Sequence, residues 1–353
     1  MTAKRHKQAV GQRLLAAFRE AGAVEVAPDI LLPAETLLDL YGEDIRARAY
    51  VTQDPIRGEV MLRPDFTVPV VQMHMDGGAE PARYCYLGEV FRKQDSGDTR
   101  PLHPRDNEYL QAGFELFSRN PLADAEVFAL FHRMLAPYGL QAVTGDMGLL
   151  LDAVRGLPLP DARRDALLHQ IWRPGRFGRL LDRFARPAQP RTFPAPTSQW
   201  TGLRDEAEMA DRMARLEADA QTPPLDPADA AQLQRLFTLR SRASDVVARL
   251  AEWQRHMPNI ADAVARIDAR VRAIAAAGID PETLVFDASH GRANMEYYDG
   301  FTFTFTAPGQ SDWPPVASGG RYDALTAILG KGRRIPAVGG IIRPGLLAEM
   351  EVR

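Results

Sequence analysis

A single cysteine, Cys85, among 353 residues excludes an internal disulfide framework and fits a reducing compartment. As a nucleophile it lacks a His or Asn placed to activate it, so the plain reading is a small buried hydrophobe. Long apolar runs are also missing: nothing approaches the roughly 20 residues that cross a bilayer. The basic N-terminal segment MTAKRHKQAVGQRLLAAFREAG has neither the continuous apolar core nor the small-residue cleavage site of a secretory signal. A soluble, cytoplasmic protein with no membrane contact is the expectation. Charge of one sign is absent too. Lys and Arg total 43 against 46 Asp and Glu, a formal net charge of -3, without the basic stripe that accompanies binding to DNA or RNA. There is no GxxxxGK[ST] phosphate loop, GxGxxG turn, HExxH or CxxC pair, and nothing resembles a nucleophile elbow. The seven histidines are scattered; His74 and His103 lie near candidate pocket residues without a second ligand at metal spacing. No metal and no cofactor is expected.

What is present is enough apolar residue, 45%, to bury a large core. In the N-terminal segment Val10, Leu14, Leu15 and Phe18 share one face of a predicted helix, with Gly22 placed to cap it. From 23 to 117 short strands alternate with short helices. The clearest strands are ARYCYLGEVF and YLQAGFELF, rich in aromatic and β-branched residues. The loop between them, KQDSGDTRPLHPRDNE, is too long for a tight hairpin and is expected to be a ligand-facing arm. From 121 to 278 the texture is helical, starting with Val127, Leu130, Phe131, Met134 and Leu135 at helix spacing. Later, Ile260, Val264, Ile267, Val271 and Ile274 form a stripe that suits core packing or a short coiled-coil seam. Strands return after 278 with LVFDAS, FTFTFT and IPAVGGII. The strict alternation of FTFTFT turns phenylalanines to a core and threonines to solvent, a ligand or a second layer. This order predicts an α+β fold: a core domain from 1–120 and 279–353, and a largely helical region at 121–278 that includes an inserted subdomain.

The informative residues are polar groups embedded in apolar strands. In LRPDFTVP, Asp65 and Thr67 stand between a strand and a helix start, and in QAGFELF the spacing of Gln111 and Glu115 puts both on one face of the sheet. A buried carboxylate is costly without a cation or donors. Asp65 and Glu115 can meet an ammonium group, and Arg92 can offer a fork to a carboxylate, a combination that suits an α-amino acid. The competing reading is an internal salt-bridge network with Arg63 or Arg100.

LRPDFTVPVVQ, YLGEVFRKQ, LQAGFELF, the Tyr297-Tyr298 pair before Gly300, and SGGRYDAL followed by IPAVGG resemble, in order, the signature blocks of histidyl-tRNA synthetases. The resemblance spans roughly 62–340. It implies a class II aminoacyl-tRNA synthetase-like fold, an antiparallel sheet flanked by helices with a helical insertion, and a dimer formed near PDILLPAE. It further implies that Asp65 replaces a glutamate holding the amino group of histidine, one methylene shorter in reach, followed by Thr67 as in the family. Gln111 and Glu115 match the glutamine and glutamate around that amino group. Arg92 matches the motif 2 arginine, and Tyr297 and Tyr298 match paired tyrosines of which one phenol contacts the imidazole.

The departures fall on the nucleotide side. The family arginine four residues before the paired tyrosines is replaced by Ala293, with Arg292 one residue away. Leu346 stands at the motif 3 arginine, with Arg343 three residues earlier, and Asn107 replaces the motif 2 arginine near the adenine. Each preorganised donor lost at a phosphoryl-bearing transition state costs about 3 to 4 kcal/mol, so no catalytic residue and no adenylation are expected. The chain ends 13 residues after IPAVGG, which leads to the expectation that a C-terminal anticodon-binding domain is absent and tRNA is not bound.

A histidine pocket without its nucleotide contacts is similar to the regulatory subunits of ATP phosphoribosyltransferase. That resemblance implies a short-form catalytic subunit as partner and L-histidine as feedback effector. Two alternatives stand beside it: a divergent histidyl-tRNA synthetase, tested by pyrophosphate exchange, and a free-standing histidine sensor, tested by reconstitution with the catalytic partner.

Overall fold

A computed structural model of the chain describes residues 4–41, 49–93, 107–188, 193, 205–292 and 297–352. Helix α1 (Lys4–Glu20) forms where the apolar spacing predicts it, burying Val10, Leu14, Leu15 and Phe18. Gly22 follows it at φ +86°, the left-handed conformation a helix end favours. The chain then runs through β1 (Val24–Glu25), β2 (Leu31–Pro33), α2 (Ala34–Tyr41), β3 (Val51–Asp54), β4 (Gly58–Leu62) and α3 (Thr67–Met75). The two long strands β5 (Ala82–Phe91) and β6 (Glu108–Phe117) come next, followed by α4 (Ala123–Leu135) and β7 (Gln141–Asp146). Helices α5 (Met147–Arg155), α6 (Asp161–His169), α7 (Pro174–Phe184), α8 (Glu206–Gln221) and α9 (Pro227–Phe237) lead to β8 (Arg240–Arg242), α10 (Ala243–Gln254) and α11 (Ala261–Ala276). The chain closes with β9 (Val285–Asp287), β10 (Phe301–Thr306), β11 (Ala317–Arg321), α12 (Asp323–Leu329), β12 (Ala337–Ile342) and α13 (Pro344–Val352).

Nine strands form the main sheet in the order β1-β5-β6-β12-β11-β10-β7-β9-β8, and β2-β4-β3 form a second, small sheet. In the main sheet β1 pairs parallel to β5 and β7 parallel to β9; the other pairs are antiparallel. Strands β7 and β8 belong to this sheet although they lie within the helical stretch 121–278. The bulk of that stretch builds a separate core from Leu149, Leu150, Leu167, Phe177, Leu233 and Leu250.

Alternation sorts the main sheet into two faces. On one, Phe301, Phe303 and Phe305 pack with Phe114, Phe128, Phe131 and the buried side of α1. The threonines between them are covered by a second layer: His290 Nδ1 lies 2.8 Å from Thr302 Oγ1 and Nε2 3.0 Å from Thr304 Oγ1. The stripe on α11 is core packing. Val264 and Ile267 join the insertion core, Ile274 joins the sheet core, and partly buried Val271 touches both. Buried ion pairs lock this helix in place: Arg270 Nη2 lies 3.0 Å from Asp124 Oδ2 and 2.9 Å from Asp146 Oδ2. Arg321 Nη2 reaches the other oxygen of Asp124 at 2.6 Å. Among the described residues no helix is long and apolar enough to cross a membrane.

Candidate functional site

The other face of the sheet carries the candidate site residues, and glycines make room for them. A Cβ on Gly113 would lie 2.2 Å from the ring of Tyr86, one on Gly320 2.8 Å from the ring of Tyr298, and one on Gly339 1.5 Å from Glu115 Oε2. These positions lie on β6, β11 and β12, so large side chains fold flat over strand positions that carry none of their own.

Glu115 is the centre. It is 1% exposed, yet three hydroxyls meet it: Tyr86 donates to Oε1 over 2.9 Å, Thr67 to Oε1 over 3.1 Å, and Tyr322 to Oε2 over 2.6 Å. No arginine or lysine is among these partners. Burial pushes its pKa up to about 7; the Tyr322, Tyr86 and Thr67 hydrogen bonds work against that rise, and the nearby Asp65 charge adds to it. A carboxyl group poised in this way gains from a cation arriving beside it.

The other predicted residues converge here. Asp65 is buried in the turn before α3 and accepts from Val68 N–H at 3.3 Å. Gln111 faces the same side as Glu115 and is 2% exposed; its Nε2 lies 3.5 Å from Tyr109 Oη, while Oε1 has no hydrogen-bond partner among the described residues. Arg92 donates from Nε to Pro64 O at 2.8 Å, which holds its guanidinium beside the Asp65 turn. The Tyr297 and Tyr298 rings meet edge-on with centroids 4.9 Å apart, and Tyr297 also packs edge-on against Tyr322 at 6.1 Å. Burial raises the Tyr298 phenol, and the negative charge of Glu115 adds to the rise.

The competing salt-bridge reading does not hold for Arg63. Its Nε donates to Glu89 O at 2.9 Å and its Nη1 to Pro28 O at 2.6 Å, and the guanidinium lies 3.9 Å from the Phe66 ring centroid. Arg100, His103, Ala293 and most of the long loop fall outside the described residues. Arg292 is drawn away from the pocket: Nε donates to Ile171 O at 2.8 Å, and the guanidinium lies 4.5 Å from the Phe237 ring and 5.2 Å from that of Phe177. Leu346 is buried in the core behind the sheet, and Asn107 is exposed. His74 stacks on Phe117 at 3.9 Å, with Nδ1 3.2 Å from Tyr84 Oη, and burial lowers its pKa. It serves as a core aromatic. Among the described residues no group of three or more His, Cys, Asp or Glu is arranged to hold a metal.

Sequence reasoning missed Tyr86 and Tyr322, two of the three hydroxyls on Glu115. Tyr86 carried a usable signal, because its parity on β5 matches that of Gly88, opposite Gln111. Tyr322 carried none, since it reaches Glu115 only through the packing of β11, β12 and β6.

The chain matches the family model of histidyl-tRNA synthetase over residues 2–175 and 199–344. It is 31% identical to the ATP phosphoribosyltransferase regulatory subunit of Sinorhizobium fredii over 92% of each chain. It is 32% identical to the protein of the same name from Brucella anthropi over 91% of each. A solved structure from Bacillus halodurans, described as an ATP phosphoribosyltransferase regulatory subunit/histidyl-tRNA synthetase, aligns with a TM-score of 0.71 at 20% identity, covering 98% of this chain and 79% of that one. The histidyl-tRNA synthetase of a Nostoc species aligns with a TM-score of 0.68 at 15% identity, covering 99% and 72%. These superpositions establish the class II synthetase-like fold that the resemblance implies.

Proposed function

We propose that this chain, which belongs to the histidyl-tRNA synthetase family and within it to the regulatory subunits of ATP phosphoribosyltransferase, enables a short-form catalytic subunit and lets histidine restrain it. It is the non-catalytic member of that pair. ATP and phosphoribosyl pyrophosphate are then substrates of the partner, in the first step of histidine biosynthesis. A second copy of the chain completes the assembly through the class II core.

The observation that carries the histidine reading is Glu115: a wholly buried carboxyl group with three hydroxyl partners, a raised pKa and a second carboxylate nearby. Histidine brings what such a site lacks, an ammonium group and an imidazole that can carry a proton. Its ring fits among Tyr297, Tyr298 and Tyr322, its cationic groups meet Asp65, Glu115 and the unsatisfied Gln111 Oε1, and Thr67 holds Glu115 in place. Arg92 faces the carboxylate. Histidine can inhibit the assembly only by binding one of its states better than another, so occupancy of this pocket must change how the chain holds its partner.

Reconstitution is the test. Mixing the chain with a short-form catalytic subunit is expected to yield a hetero-oligomer whose phosphoribosyl transfer exceeds that of the separate parts and falls when histidine is added. Activity unchanged by the chain would refute the enabling role. Activity raised by the chain but indifferent to histidine would refute the feedback role. Pyrophosphate exchange with ATP and histidine is expected to be absent; measurable exchange would favour a divergent synthetase.

A further inference from the structure

Asp299 is a largely buried carboxylate with no place in the reading above. It follows Tyr298 directly and precedes β10, and its side chain is 14% exposed. Its N–H donates to Arg321 O at 3.0 Å. Its carboxylate accepts from the first turn of α12: Oδ1 from Asp323 N–H at 3.0 Å and Oδ2 from Ala324 N–H at 2.7 Å. These are the two amides that follow Tyr322, the tyrosine whose hydroxyl donates to Glu115 Oε2. Tyr322 itself, at φ -141° and ψ 52°, lies outside the helical range and gives the helix no side-chain cap. The cap comes from Asp299 instead. Asp299 thereby joins two walls of the pocket, the segment carrying Tyr297 and Tyr298 and the turn carrying Tyr322.

This placement works against the carboxylate. Burial raises the Asp299 pKa to about 6 and the neighbouring Asp323 charge adds to the rise, while the two N–H groups and the charge of Arg334 oppose it. Arg334 is largely exposed and 3.7 Å from Oδ2, and Arg321 is engaged with Asp124 and with Asp323 Oδ1. A serine or asparagine cap offers one side-chain oxygen, whereas Asp299 uses two, one for each amide. Two fixed amides leave the turn no freedom to rotate about a single hydrogen bond. The position of Tyr322 matters because its bond to Glu115, at 2.6 Å, is shorter than those of Tyr86 and Thr67, at 2.9 and 3.1 Å. It is also the strongest of the influences that hold the Glu115 pKa down. A displaced hydroxyl weakens that bond steeply with distance and angle.

We propose that Asp299 is a positioning residue of this pocket: its two carboxylate oxygens set the Tyr322 hydroxyl on Glu115 and so govern how readily Glu115 ionises to meet a cationic ligand. That the ligand is histidine rests on the reading given above; the link from Asp299 to Glu115 does not. Carbon-13 NMR of the full chain with labelled glutamate, the Glu115 signal assigned by Glu115→Gln, follows the carboxyl group through its titration. In Asp299→Asn the Glu115 pKa is expected to rise by about half a pH unit or more, part of the worth of one hydrogen bond. Removing a nearby negative charge would by itself lower it, so the sign separates positioning from electrostatics. In a Tyr322→Phe background, where the hydroxyl is gone, Asp299→Asn is expected to add no further rise. A general loosening of the fold would not vanish in that way. A rise of this size that disappears with the hydroxyl supports the assignment; a smaller rise, a fall, or a rise that persists in the Tyr322→Phe background overturns it. Where the asparagine variant does not fold, Asp299→Ser, which keeps one short acceptor, is judged by the same criterion. Calorimetric titration near neutral pH adds the ligand: histidine affinity is expected to fall roughly threefold or more in Asp299→Asn, and a smaller fall, where the wild type binds, overturns the proposal. No binding of histidine by the wild-type chain, alone or in complex, removes the histidine reading and leaves the Glu115 titration to decide on Asp299.

Discussion

Gly339 and Glu115 face each other across β12 and β6, so closely that a Cβ on Gly339 would lie 1.5 Å from Glu115 Oε2. The carboxylate occupies the space a side chain would fill, and the neighbouring obstacle is Phe114 O, backbone that cannot move aside. Gly339→Ala is expected to lower stability by about 3 kcal/mol, as overpacking of a dense core does, and to abolish histidine binding. Denaturant titration and calorimetry measure both. Wild-type behaviour in each would mean that the two residues are not in contact.

Under the proposed function, Glu115 is expected to make histidine binding depend on pH. Its pKa is raised from 4.5 to about 7, so the empty fold loses stability as pH rises from about 4.5 to about 7, by up to about 3 kcal/mol, and nothing more above that. A cationic ligand prefers the ionised form and restores part of the loss. The affinity of wild type relative to Glu115→Gln, a ratio from which the ligand's own imidazole titration near about 6.5 cancels, is therefore expected to rise as pH climbs through 7, with Glu115 releasing a proton on binding below that point. Titration of both proteins in buffers of different ionisation enthalpy reads the extra proton, and a pH-independent ratio would contradict the assignment.

The opposite sign holds for His290. Burial lowers its pKa from 6.5 to about 4, so it contributes stability that is fully present above about 6.5 and lost as pH falls through about 4. Its ring bridges Thr302 and Thr304 in the neutral form, where one nitrogen donates and the other accepts. His290→Gln is expected to cost about 1 to 3 kcal/mol at pH 7.5 and to reduce the acid sensitivity between pH 6.5 and 4. Urea unfolding at several pH values, with a resonance of His290 that stays neutral at pH 5, checks both parts.

Arg292 is a structural cation held in the insertion. Burial lowers its pKa to about 10, and Nη2 has no hydrogen-bond partner among the described residues. Arg292→Met is expected to change stability by less than about 2 kcal/mol in either direction, since an apolar chain of similar length fits between Phe177 and Phe237. Histidine affinity should stay within threefold of wild type. A large loss of affinity with stability intact would place Arg292 in the pocket after all.

Much of the fold was legible in local pattern. The strand read as ARYCYLGEVF is β5 residue for residue, FTFTFT is β10, and the amphipathic stretch at the N-terminus is α1. Period and composition suffice for such elements because their burial is decided by their own alternation. The helical stretch 121–278 was harder. QAVTGD lacks the strict apolar alternation of FTFTFT and RSR is only three residues long, yet they become β7 and β8 because the sheet offers them strands to pair with. In the site, parity alone put Gln111 and Glu115 on one face, and the family blocks supplied Asp65, Thr67, Arg92 and the tyrosine pair.

Residue types and their order therefore determined the elements, the family and the set of polar groups on one face of a sheet. What only the tertiary structure decided is where each charge finds its partner. Arg63 goes to backbone carbonyls and Arg292 to the insertion, Arg343 goes to the pocket face, and Glu115 is met by hydroxyls from 29 residues before it and 207 after it. The physical reason is that hydrogen bonds and ion pairs act over a few ångströms in space. A one-dimensional pattern records which groups need partners; the crossing of β5, β6, β11 and β12 chooses among them.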